Sequence, residues 1–113
     1  MQPLELALKY MEIFFAGQEM DELRPLLTND FTFKGPFYQF KSSEDYINAL
    51  KLDPPQHCEY KIINALANEA SVCLIYQFIK PGICEPMAQF FEIKEGQINH
   101  ILLIFDTKAF VQN

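Results

Sequence analysis

With 113 residues, half of them hydrophobic and 21% charged, the chain has the length of one domain and enough apolar side chain to fold without a covalent staple. Fifteen acidic against nine basic residues give a net charge of −6, which repels phosphate backbones and anionic lipid alike. No basic cluster with interleaved aromatics offsets that charge, so nucleic acid is excluded as a partner.

Three cysteines, Cys58, Cys73 and Cys84, are an odd number and show no CxxC spacing. They predict reduced, buried thiols in place of a disulfide framework or a zinc knuckle. The opening MQPLELALKY places a proline and a glutamate where a signal peptide carries lysines and an unbroken apolar run. No stretch is apolar for the length of a membrane span, so the expectation is a cytoplasmic protein with no membrane partner. There is no repeat, low-complexity tract or linker, and residues 1–113 read as a single domain.

Pro3 suits a first helical turn, and from Leu4 to Phe15 apolar residues cover most of the circumference, leaving Glu5, Lys9 and Glu12 on one polar stripe. Gly17 supplies the left-handed stop. A short helix around Asp21 to Leu27 follows, its ladder limited by Pro25. Phe31 and Phe33 alternate with Thr32 and Lys34, Gly35-Pro36 breaks the run, and Tyr38 and Phe40 resume it, which predicts two short strands. Ser42 with Asp45 three residues later resembles a capping box and opens a helix through Tyr46, Ile47 and Leu50, ended by Asp53-Pro54-Pro55.

Four β-rich runs complete the chain: Cys58 to Ala67, Val72 to Ile79, Pro86 to Ile93 and Gln97 to Phe105. Their short connections imply an antiparallel meander. The runs VCLIYQFI and INHILLIF are apolar on both alternating phases, so both sheet faces must be covered. Helices cover one; the other predicts a homodimer through the outer sheet face.

The segments FFAGQEMDELRPLLTNDFTFKGPF and INHILLIFD, with the order of elements between them, resemble the nuclear-transport-factor-2-like superfamily. That superfamily includes SnoaL-like polyketide cyclases and ketosteroid isomerases, and the likeness spans nearly the whole chain. It implies an α+β fold in which a cone-shaped, curved and mainly antiparallel mixed sheet carries the three helices of the N-terminal half on its concave face.

By the same resemblance, Tyr10 falls where the isomerases keep an oxyanion-hole tyrosine and Gln89 where they keep a protonated aspartic acid. A glutamine amide donates a hydrogen bond at any pH, so the donor role survives that replacement. Gly35, however, stands where those enzymes place the aspartate that moves the proton, which argues against isomerase activity. Cyclase-like members have an aspartate near the end of the last strand, here Asp106. The resemblance points Ile101, Leu103 and Phe105 into the cone and His100, Leu102 and Ile104 outward, so that Asp106 needs a bulge to turn in.

Each candidate has a plainer reading. Tyr10 and Gln89 fit a core with internal partners, while Asp106 and Asp30 suit strand ends and turns. His57 and Cys58, as adjacent residues, point to opposite sides of a strand edge with no third ligand spaced to join them. Eleven phenylalanines with few inward polar groups describe a cavity for an apolar ligand carrying one or two oxygens. Its expected lining is Tyr10, Phe14, Phe33, Phe37, Tyr76, Met87, Gln89, Phe91, Leu103 and Phe105, with no metal and no cofactor. The leading expectation is thus a small-molecule-binding protein. The alternatives are a cyclase- or isomerase-type enzyme using Tyr10, Gln89 and Asp106, and a non-catalytic dimeric interaction module.

Overall fold

A computed structural model describes residues 1–111. Helix α1 (Pro3–Ala16) opens with Pro3 in its first turn and ends on Gly17, whose φ of +68° is the left-handed stop that its position before a polar stretch requires. Gly17 is needed for a second reason. A Cβ there would lie 2.2 Å from the Pro55 carbonyl oxygen, so the helix end is pressed against the segment that enters the third strand.

Residues Met20–Leu26 form a 3-10 turn with Pro25 inside it, and not the α-helix expected from Asp21 to Leu27. Proline has no N–H to donate, and the tighter turn brings Met20, Leu23 and Leu26 onto the core. Strand β1 (Leu27–Lys34) follows, starting earlier than the aromatic alternation alone indicates, and pairs with the two-residue β2 (Gln39–Phe40). Helix α2 (Ser43–Leu52) is capped as its sequence predicts, the Ser42 hydroxyl accepting from the Asp45 N–H at 3.1 Å.

The meander comprises β3 (Glu59–Ala67), β4 (Ser71–Lys80), β5 (Ile83–Lys94) and β6 (Gln97–Phe105), each antiparallel to the next. Its turns obey local chemistry. Asn68 Oδ1 accepts from Ala70 and Ser71 N–H, Gly82 takes φ +80° after Pro81, and Glu95 and Gly96 both have positive φ, the condition for a tight hairpin that follows the strand twist. The full order is β2-β1-β6-β5-β4-β3, with β1 running parallel to β6, so the first strand is added to the far side of the last one. Register shifts at Ile62/Asn64 and Glu92/Ile93 are bulges that bend the sheet.

The result is a mixed, open, curved sheet. Its concave face carries α1, the 3-10 turn and α2 over a core that includes Leu6, Met11, Leu23, Phe31, Ile47, Leu74, Phe91 and Ile101. Ion pairs from Asp21 to Arg24 and Lys51, and from Arg24 to Glu44, tie the 3-10 turn to α2 across the surface. Lys51 and then Arg24 hold the Asp21 carboxyl below the usual aspartate range. Alternation along β6 places Ile101 in the core and leaves Ile104 57% exposed on the convex face. His100 also lies on that side, its Nδ1 2.6 Å from the Thr32 hydroxyl. No helix of the described residues is long and apolar enough to cross a membrane.

Two smaller expectations are corrected. Cys84 is exposed and Cys58 and Cys73 are half-buried, so the three free thiols are not uniformly internal. His57 is not at a strand edge: it precedes β3 with φ of +55° in an exposed connection.

Candidate functional site

The concave face does not fill completely. Between the helices and β4, β5 and β6 lies a partly open cavity of about 720 Å³. Two aromatic groups of different origin make most of its wall: Phe14 and Phe15 from α1, and Phe33, Phe40, Phe78 and Phe105 from the sheet. The rim is built by Phe37, the segment Asp53–Gln56, Lys80 and Phe110.

Its floor is polar and buried. Tyr10 reaches it from the middle of α1, Tyr46 from the first turns of α2, and Tyr76 and Gln89 from β4 and β5; all four are 4% exposed or less. The Tyr10 and Tyr46 hydroxyls hydrogen-bond to each other. Tyr76 donates its hydroxyl proton to Gln89 Oε1 at 2.7 Å. The Gln89 oxygen is so occupied, and the nearness of this side chain to Tyr10 works against the other influences on the Tyr10 phenol. Among the described residues no buried side-chain N or O lacks a partner.

The four groups therefore form two hydrogen-bonded pairs, Tyr76 with Gln89 and Tyr10 with Tyr46. Three hydroxyl protons and two amide protons belong to these groups, and two are used internally. Either Tyr10 or Tyr46 must keep its proton unspent, because only one of the two can donate to the other. The floor thus holds a hydrogen-bond donor for an acceptor atom inside the cavity.

Burial raises the Tyr10 phenol well above its ordinary range, with further raising by Tyr46. Burial likewise pushes up Tyr46 and Tyr76. All three remain neutral donors at physiological pH. Stacking fixes their rings: Tyr10 lies 5.9 Å from Phe14 and edge-on to Phe91 at 5.5 Å, and Tyr46 stacks on Phe33 at 5.1 Å.

Tyr10, Phe14, Phe33, Phe37, Tyr76, Met87, Gln89, Leu103 and Phe105 all line the cavity. Phe91 does not. It is on the inward phase of β5 but lies beneath Tyr10, with no exposure, as core. Asp106 does not turn in either: it caps the 3-10 turn Thr107–Phe110, its carboxylate accepting from Lys108 N–H at 2.9 Å. No bulge at the end of β6 redirects it, as the pairing there is regular from Met87↔Phe105 to Glu92↔His100. Gly35 lines the wall, and a Cβ on it would meet the Phe33 ring at 3.2 Å.

Sequence reading missed Tyr46, the fourth polar group of the floor. Its position between an N-cap and a predicted apolar stripe reads as core, and only its meeting with Tyr10, 36 residues away, gives it a polar role. Phe110, beyond the last strand, carried no signal at all. Among the described residues no group of three or more histidine, cysteine or acidic side chains is placed to hold a metal.

No family model and no curated protein matches the chain. Solved structures do. An NTF2-like protein of unknown function from Cytophaga hutchinsonii superposes with a TM-score of 0.82 at 21% identity, over 97% of this chain and 95% of that one. A structure from Jannaschia sp. assigned to the SnoaL-like polyketide cyclases gives 0.81 at 17% identity, covering 96% and 88%. One from Kribbella flavida assigned as a ketosteroid isomerase gives 0.77 at 17%, covering 96% and 87%. At these identities the likeness concerns backbone architecture. The chain has the nuclear-transport-factor-2-like fold, the α+β cone shared by SnoaL-like and ketosteroid-isomerase-like proteins.

Proposed function

We propose that the protein binds a small apolar molecule in this cavity and holds one of its oxygen atoms through the spare phenol proton of the floor. The observation that carries the reading is the buried polar floor of Tyr10, Tyr46, Tyr76 and Gln89 at the base of an otherwise aromatic chamber. Three buried phenols are costly to desolvate, and a purely structural core gains more from phenylalanine at those positions.

Binding is favoured over catalysis. The enzymatic reading needs Asp106 near the two donors, and that carboxylate is engaged in a cap outside the cavity. The test compares a cyclic ketone with the hydrocarbon of the same shape by calorimetric titration. The ketone should bind about tenfold more tightly, the worth of one buried hydrogen bond, and the difference should vanish in a Tyr10→Phe, Tyr46→Phe double variant. Equal affinity of the two probes for the unaltered protein overturns the reading.

The convex face supports a second proposal, a homodimer. Leu66, Cys73, Phe90 and Leu102 form one outward row across four strands, and Ile75, Ala88 and Ile104 form the next. Leu66 and Ile104 are 60% and 57% exposed, which suits a face covered by a second copy. A monomer in sedimentation equilibrium at micromolar concentration refutes it. The free thiols suit a reducing compartment, so we place the protein in the cytoplasm.

A further inference from the structure

The inward phase of β4 reads Val72, Leu74, Tyr76, Phe78, Lys80, and along it the environment changes from core to phenol to aromatic wall to ammonium. Alternation puts Tyr76 and Lys80 on the same face, four residues apart, about 13 Å at the ordinary strand rise. Tyr76 belongs to the cavity floor and Lys80 to its rim. Lys80 is not committed to a carboxylate. The three ion pairs of the described residues all lie within the 3-10 turn or between it and α2, and the Lys80 ammonium instead lies 5.8 Å from the centre of the Phe110 ring at the mouth.

Resting on the binding function proposed above, we propose that the ligand is an elongated apolar acid, with an acceptor oxygen at the Tyr10–Tyr46 floor and a carboxylate at the Lys80 rim. The floor supplies donors and no cation, so an anionic end placed there would be desolvated without a counter-charge. The rim keeps its ammonium in water, where a carboxylate can pair with it and remain hydrated. Two acidic groups share this end of the cavity: Asp53, exposed on the rim at the end of α2, and Glu85, half-buried on the same sheet face opposite Phe78. Among the described residues lining the cavity Lys80 is the only basic side chain, so it sets the sign of selection between otherwise equal ligands.

The test titrates the protein with a medium-chain methyl-ketone carboxylic acid and with its methyl ester. The acid should bind about threefold to fivefold more tightly at low salt, the range for a solvent-exposed ion pair. Added salt should shrink the preference. Lys80→Gln should abolish it by bringing the acid's affinity down to that of the ester, and Asp53→Asn should enlarge it. If acid and ester bind equally, or if Lys80→Gln leaves the preference intact, the rim assignment is wrong while the floor reading stands. If neither probe binds, both fall.

Discussion

Raising the pH above about 10 should unfold the protein through its cavity floor, with a steepness set by the number of buried phenols. Free tyrosine ionises near pH 10. Burial raises Tyr10, Tyr46 and Tyr76 above that value in the folded state. Below about pH 10 both states keep these protons and the stabilisation is fully present. Above it the unfolded chain releases them while the folded chain holds them, so stability falls as pH rises through the window up to the folded-state values. Each group contributes about 1.4 kcal/mol per pH unit, so the three together remove about 4 kcal/mol per unit. Against a total of about 5 to 15 kcal/mol, unfolding should be complete roughly one to four units above that onset. The assay records tyrosinate absorbance together with far-ultraviolet circular dichroism during an alkaline titration. Of the five tyrosines, three should ionise only as the dichroism is lost. Absorbance equal to more than two tyrosinates while the native dichroism persists would show that the floor is open to water.

Other substitutions test the remaining links. Tyr76→Phe leaves the buried Gln89 oxygen without its donor, which should cost about 1–3 kcal/mol in urea denaturation and weaken ketone binding as the amide loses its fixed orientation. Gly17→Ala forces a non-glycine residue to φ +68° with its Cβ on the Pro55 carbonyl. The backbone alone should cost about 1–2 kcal/mol, and displacement of the 53–56 rim should lower probe affinity, both measurable by thermal melts with and without ligand. Asp106→Asn keeps an acceptor for the Lys108 N–H, so stability and ketone affinity should match the unaltered protein; a loss of affinity beyond twofold would return Asp106 to the site. Ile104→Lys on the convex face should halve the sedimenting mass if that face is a dimer interface, with the fold retained by circular dichroism.

Much of this architecture is readable along the chain because its signals are local. The Ser42 cap, Gly17, Asn68, Pro81-Gly82 and Glu95-Gly96 each act within a few residues, so they mark where elements start, stop and reverse wherever those elements come to lie. Alternation similarly assigns Tyr76, Met87, Gln89 and Leu103 to the inward side. The short β4–β5 turn even fixes the register, pairing Tyr76 with Met87 and leaving Gln89 as its diagonal neighbour. Depth is another matter. Phe91 shares the inward phase with Gln89, yet it is core and not lining, because Tyr10 from α1 lies over it.

By itself, then, the sequence determined the elements, their turns and the inward set of the meander, since period and turn chemistry depend on neighbours in the chain. Tertiary structure alone decided that Tyr46 meets Tyr10, that β1 joins β6 in parallel, that Asp106 faces a backbone N–H outside the cavity, and that Phe110 reaches the rim. Those outcomes depend on how separate elements pack across long stretches of chain, where a side chain's partner is set by the bend of the sheet and the seat of each helix and carries no periodic mark in the residues themselves.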